Sequence, residues 1–101
     1  MAKEPQVTEK EVEKYLREQV EKVGGICYKW VSPNRRGIPD RIVIFPPFIA
    51  QGQGTVWFIE VKKPGEEPSG SQKRMMHRLA KLGQLVGMVD TKKGVDQFLQ
   101  K

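Results

Sequence analysis

The chain of 101 residues provides for one hydrophobic core rather than two, so we expect a single domain over residues 1–101. No apolar run approaches the ~20 residues that cross a bilayer, and the charged N-terminus lacks the apolar stretch of a secretory signal. We therefore expect a cytoplasmic protein, in which Cys27, the single cysteine, forms no internal disulfide. The formal charge of +6 favours polyanionic partners such as nucleic acid.

Hydrophobic spacing predicts elements in the order αβββαβα. Val12, Leu16, Val20 and Val23 recur at helical spacing, so residues 8–23 should form an amphipathic helix that starts at Thr8. The other predicted elements are strands at 26–31, 41–45, 55–62 and 85–89, a helix at 71–82 and a short helix at 95–99. The helix at 71–82 should turn an apolar stripe inward, made of Met75, Met76, Leu79 and Leu82.

The predicted order favours an α/β fold with a mixed sheet. The first three strands can run as a meander, while the fourth returns to the sheet through a helix. The nine residues PPFIAQGQG between the second and third strands indicate a hairpin loop with Phe48 and Ile49 at its tip.

Charged residues interrupt the apolar pattern of the third strand. Side chains alternate between the faces of a strand, so Glu60 and Lys62 should share the face of Val56 and Phe58, which we expect to carry core residues. Trp57, Ile59 and Val61 should point the other way. A carboxylate among apolar neighbours is costly, and this makes Glu60 a candidate functional residue.

The register of the predicted hairpin decides which side chain meets Glu60. If Phe45 pairs with Thr55, antiparallel counting puts Asp40 opposite Glu60, with Cβ atoms within ~5 Å. A slip by one residue would separate the two carboxylates and would also turn Ile42 away from its apolar neighbours across the hairpin. The hydrophobic pattern therefore favours the register in which the carboxylates meet.

Two neighbouring carboxylates require a cation, because they repel each other and lose hydration when buried. Lys62 supplies part of the positive charge, and oxygen donors with room for water and phosphate suit Mg²⁺. The alternative is that Glu60 and Lys62 belong to a solvated strand end and that Asp40 is a turn residue after Pro39.

Gly37-Ile38-Pro39-Asp40 followed some twenty residues later by Ile59-Glu60-Val61-Lys62 resembles the PD-(D/E)XK nuclease signature. The runs SPNRRGIPDRIVIF, WFIEVKKPG and SGSQ resemble, more closely, the virus-type replication-repair nuclease (VRR-NUC) family, over about residues 8–90. The resemblance implies a restriction-endonuclease-like fold, an αβββαβ core with a mixed sheet flanked by helices, and metal-dependent DNA hydrolysis.

The same resemblance implies the roles of particular residues. Asp40, Glu60 and the backbone carbonyl of Val61 match the family's ligands for Mg²⁺ or Mn²⁺, and Lys62 matches the lysine that holds or activates the attacking water. Gln72 matches a glutamine that supports the active site, although a residue at the start of a helix can equally serve as a cap.

The family also has a glutamate on its first helix. Glu9 lies closest to the centre of the apolar stripe, Glu13 lies at its edge and Glu11 lies outside it, so we expect Glu9 to be this residue and Glu13 to be the second choice. The alternative is that these are ordinary acidic residues of a first helical turn, favoured there by the helix dipole.

Several basic residues are candidates for contacts with DNA phosphates. Arg35 and Arg36 lie in the loop that leads into Pro39, and Lys29 lies in the first predicted strand; Lys63, Lys73 and Arg74 are weaker candidates. Stand-alone members of the resembling family are associated with four-way (Holliday) junctions, which implies a homodimer on branched DNA. Phe48 and Ile49 offer an apolar surface for pairing, unless they fold onto their own core. Two alternatives are a non-catalytic basic binding module and a general nuclease for flaps or single strands.

Overall fold

The computed structural model describes residues 7–47 and 54–100, so Phe48 and Ile49 lie outside the described residues. In chain order, the described elements are α1 (Glu9–Lys22), β1 (Ile26–Lys29), β2 (Arg41–Phe45), β3 (Thr55–Val61), α2 (Gly70–Lys81), β4 (Leu85–Val89) and α3 (Lys92–Leu99). No helix in these ranges is long and apolar enough to cross a membrane.

The strands form one mixed sheet in the order β1-β2-β3-β4. The β1–β2 and β2–β3 pairs are antiparallel, and the β3–β4 pair is parallel because the chain returns through α2. This arrangement confirms the predicted meander, the mixed sheet and the α/β class.

The register of β2 and β3 is the predicted one. Phe45 pairs with Thr55, Ile42 pairs with Phe58, and Arg41 pairs with Ile59. Asp40 directly precedes β2. Extending the antiparallel pairing by one residue therefore places Asp40 opposite Glu60. The two carboxylates are therefore brought to one end of the β2–β3 hairpin.

The main core lies on the face of β3 opposite to the predicted one. Its fully buried members are aliphatic side chains from the sheet, α1 and α3, including Leu16, Val43, Ile59, Val61 and Val95. The face that carries Glu60 also carries Val56, which is exposed. The prediction that Glu60 shares a face with the main core was therefore wrong. Both faces of β3 are rich in apolar residues, so the alternation of side chains does not indicate which face is buried more deeply.

Two residues predicted to continue apolar stripes lie beyond their helices. Leu82 is 67% exposed and is the C-cap of α2, and Val23 is likewise the exposed C-cap of α1. Once the helix ends, the spacing of the stripe no longer fixes the direction of a side chain. The other three residues predicted to turn inward from this helix, Met75, Met76 and Leu79, are each half-buried.

The helix starts follow local hydrogen bonds. The Oγ1 atom of Thr8 accepts from the backbone N–H of Glu11 at 3.2 Å, as predicted for the start of α1. α3 begins three residues earlier than predicted, because Thr91 caps it through the N–H of Gly94 at 2.9 Å. β1 ends at Lys29 rather than at residue 31.

The loop before β2 packs closely against the start of α2. Gly37 has φ +80°, and a Cβ atom built on it would overlap the backbone carbonyl of Ser71. Only glycine fits both the left-handed backbone and the close approach. This contact fixes the end of the loop, three residues before Asp40, against α2.

We expect Gly37→Ala to lower the free energy of unfolding by at least about 1 kcal/mol more than Gly83→Ala does. Gly83 is a matched control, since its φ is +83° and an added Cβ would meet no atom within 4 Å. Both variants incur the left-handed penalty of about 1–2 kcal/mol, and only Gly37→Ala also overlaps backbone. Urea unfolding measures both values. Equal losses would contradict the packing of this loop against α2.

Candidate active site

Asp40 is held at the start of β2 by several contacts. It follows the fully buried Pro39, and its backbone carbonyl accepts from the N–H of Trp30 at 2.9 Å. Its Oδ1 atom accepts from the N–H of Val61 at 3.2 Å, and its Oδ2 atom lies 3.2 Å from Nη1 of Arg41. These contacts tie the carboxylate to the end of β3.

Glu60 is a carboxylate with few partners in a buried place. Its side chain is only 5% exposed; Oε2 accepts from Nε2 of Gln72 at 3.1 Å, whereas Oε1 is buried without a hydrogen-bond partner. Burial, the larger cause, and the neighbouring charge of Asp40 raise the pKa of Glu60 to about 7. A buried, unpaired oxygen is costly, so this position calls for a proton or a cation.

Lys62 supplies the nearest ammonium group, and its side chain is 15% exposed. Its Nζ atom lies 3.8 Å from Oε2 of Glu60 and 3.7 Å from Oε1 of Glu66, while its N–H donates to the carbonyl of Val89 at 2.9 Å. The charge of Lys62 lowers the pKa of Glu60, against the larger effect of burial. One ammonium therefore only partly balances the acidic groups.

Gln72 performs both of the tasks that its sequence position allows. Its Oε1 atom accepts from the N–H of Ser69 at 2.7 Å and its own N–H donates to Ser69 Oγ at 3.2 Å, which completes a capping box. Its Nε2 atom is left to donate to Glu60. The start of α2 thus positions the buried carboxylate.

The two candidate glutamates of α1 have different surroundings. Glu13 lies 3.5 Å from Nε of Arg41 and 3.6 Å from Nε of Arg17, so its charge is already balanced. Glu9 is exposed at the first position of α1, and its charge contributes to the raised pKa of Glu60. Glu9 is therefore within electrostatic reach of Glu60.

The donor set fits a hard divalent cation. Across residues 7–47 and 54–100, no group of three or more His, Cys, Asp or Glu side chains could hold a metal ion. Asp40 and Glu60 nevertheless offer two carboxylates, and the buried Oε1 atom of Glu60 has a free acceptor site. Two carboxylates with the remaining positions left to water and phosphate are the usual environment of protein-bound Mg²⁺.

The residues predicted to contact DNA are exposed, namely Lys29, Arg35, Arg36, Lys63 and Lys73. Lys63 and Lys73 make ion pairs with neighbouring acidic side chains at 3.7 and 3.4 Å. Lys29, Arg35 and Arg36 make no ion pair within the part of the chain that the structure describes. The positive charge of these three is therefore not balanced by a neighbouring acidic side chain in that part of the chain.

The sequence interpretation missed two charged residues of the site. Arg41 bridges Asp40 and Glu13, and Glu66 contacts Lys62. Arg41 directly follows Asp40 and Glu66 lies four residues after Lys62, but neither spacing separates an ion pair at the site from an ordinary surface charge.

Two comparisons with known proteins agree with this geometry. The chain is 45% identical over 85 residues to "Putative nuclease p44" of Acyrthosiphon pisum secondary endosymbiont phage 1, a match that covers 84% of this chain and 85% of the relative. A solved structure named "VRR_NUC domain" superposes with a TM-score of 0.80 at 33% identity, covering 93% of this chain and 97% of the other. No protein-family model matches the chain.

The relative is similar along most of both chains, and the solved structure shares the arrangement of strands and helices that brings Asp40 to Glu60. The chain therefore belongs to the VRR-NUC family of nucleases.

Proposed function

We propose that this protein is a metal-dependent, structure-specific DNA endonuclease that hydrolyses phosphodiester bonds. The observation that carries the proposal is the buried carboxylate of Glu60, which has an unpartnered oxygen and lies beside Asp40 and the ammonium of Lys62. A purely structural role would favour an apolar or fully paired residue at this position. Binding of a cation by the carboxylate oxygens of Glu60 and Asp40 would offset the free-energy cost of burying them.

We assign Asp40, Glu60 and the carbonyl of Val61 to a Mg²⁺ or Mn²⁺ ion. Such an ion, when bound, polarises a phosphoryl oxygen and lowers the pKa of water. The ammonium of Lys62 stabilises negative charge that develops on the phosphate, and Gln72 holds Glu60 in place through its 3.1 Å hydrogen bond. Asp40 is oriented by the N–H of Val61.

We expect Asp40→Asn, Glu60→Gln and Lys62→Ala each to abolish cleavage of labelled DNA with Mg²⁺ or Mn²⁺, and EDTA to abolish cleavage by the wild-type protein. Loss of one charge-stabilising group costs about a hundredfold to a thousandfold in rate. Glu60→Gln also removes a buried charge, so circular dichroism and thermal unfolding should show a folded protein.

Lys22→Ala is the matched control for Lys62→Ala, because it makes the same change at an exposed side chain in the last turn of α1, outside the site. It should retain cleavage within a few-fold. Near wild-type cleavage by Lys62→Ala would contradict the role of that lysine. Binding of DNA without cleavage in either metal would favour the alternative of a non-catalytic binding module.

We assign Glu9 as the helical glutamate of the site. Its charge reaches Glu60, whereas Glu13 is engaged by two arginines. Glu9→Gln should therefore slow cleavage more than Glu13→Gln when rates are compared at saturating metal. The reverse order would assign the role to Glu13, one turn further along α1.

We propose that branched DNA, such as a four-way junction, is the substrate and that the active form is a homodimer. One catalytic set cuts one strand, and a symmetric pair of cuts requires two sets related by a two-fold axis. The relative is a phage protein. A bacterial or phage-infected cytoplasm is the corresponding place of action. The alternative is a monomer that acts on flaps or single strands.

The described part of the chain offers an apolar surface for this pairing. Ile26, Ile44 and Val56 are aligned across β1, β2 and β3 on the face that also carries Glu60, and Ile26 and Val56 are exposed. Ile44 lies four residues from Asp40, about 13 Å along the strand. Two copies that meet through this row would leave both active sites open.

We expect Val56→Lys to shift the wild-type dimer towards the monomer mass of 11.6 kDa in light scattering at micromolar concentration. A buried charge at the interface would be left without a partner. Val23→Lys is the control, since Val23 is 52% exposed against 45% for Val56 but lies off the sheet face. A wild-type mass near that of one chain would contradict the dimer, and preferential cleavage of flaps would contradict the junction substrate.

A further inference from the structure

An open groove lies between the loop that precedes Asp40 and one side of α2. We call it the arginine groove. It is about 270 Å³ in volume and is lined by Arg36, Ser71, Arg74, Met75 and Arg78. Three of its five lining residues are therefore guanidinium side chains.

The fold brings these arginines together from separate segments. Ser71, Arg74 and Arg78 recur at spacings of three and four, so they lie along one side of α2. Arg36 comes from the loop, and the next residue, Gly37, packs against the backbone of Ser71. The glycine contact therefore holds the third guanidinium beside the other two.

The charge in the arginine groove is not balanced by acidic side chains. Arg17, Arg41, Lys62, Lys63 and Lys73 make ion pairs, but Arg36, Arg74 and Arg78 make none within residues 7–47 and 54–100. Three like charges around one groove repel one another, and an anion relieves that repulsion. The planar guanidinium fork matches the oxygens of a phosphate group.

The arginine groove is next to the active site. Ser71 directly precedes Gln72, which donates to Glu60. Arg36 precedes Asp40 by four residues, which limits their separation along the backbone to about 14 Å. That length equals about four rises of 3.4 Å per nucleotide measured along the helix axis of DNA.

We infer that the arginine groove binds backbone phosphates of the DNA within about four nucleotides of the phosphate that is cut. The inference rests on the proposed nuclease function, and it assigns Arg74 and Arg78 to substrate binding together with Arg36. Contacts to phosphates position the substrate without reading its bases, so the groove serves any sequence.

The test measures DNA affinity of Arg74→Gln/Arg78→Gln by fluorescence anisotropy, with a labelled duplex in EDTA between about 50 and 200 mM salt. Loss of two guanidinium–phosphate contacts should weaken binding about tenfold or more. It should also reduce the slope of log affinity against log salt by about two. Two unrelated duplex sequences should give the same loss.

Lys22→Gln/Lys93→Gln is the matched control. It removes the same amount of charge from exposed positions on α1 and α3. These helices cover the face of the sheet opposite to the one that carries Glu60. This variant should bind within about twofold of the wild-type protein, because screening weakens distant charges. Arg74→Lys/Arg78→Lys should be intermediate, since it keeps the charge and loses the fork.

Equal affinities of Arg74→Gln/Arg78→Gln and the control would overturn the assignment of the arginine groove. Cleavage of labelled DNA by the wild-type protein in a separate assay with Mg²⁺ or Mn²⁺ would then leave the proposed nuclease function standing. A wild-type protein that neither binds nor cleaves DNA would overturn both. A loss confined to one sequence would also overturn the inference, because it would indicate base reading.

Discussion

The buried carboxylate of Glu60 is the constraint on which the rest of the site depends. An ionised carboxylate out of water is costly, and the neighbouring Asp40 increases that cost. The fold offsets part of it with a hydrogen bond from Gln72 and an ammonium at 3.8 Å, and one oxygen remains without a partner. A residue kept in this condition is poised to accept a proton or a cation.

The two faces of the sheet have different roles. One face carries the fully buried side chains under α1 and α3, and the other carries Glu60 and a partly open apolar surface. Val61 is buried in the first face while its N–H holds Asp40. The rigid, well-packed side therefore sets the position of the carboxylates, and the open side remains accessible to substrate.

The sequence allowed the local parts of this structure to be predicted, whereas contacts between distant segments were harder. Alternation around Ile42 and Phe58 specified the hairpin register, because a slip would have exposed apolar side chains. The ion pair between Arg41 and Glu13 depends on how α1 meets the sheet, and the arginine groove depends on the docking of Gly37. No local pattern encodes either contact.

The distribution of charge explains how a strongly acidic site can work in a basic protein. Asp40 and Glu60 repel a phosphate, so attraction must come from groups beside them. Arg35 and Arg36 stand before Asp40, and the arginines of α2 stand beside Gln72. In the proposed function, the flanking cations align a DNA strand over the carboxylates, and entry of the phosphate between them requires that their charge be neutralised. Attraction of DNA and binding of the neutralising cation would thus fall to different residues of one surface.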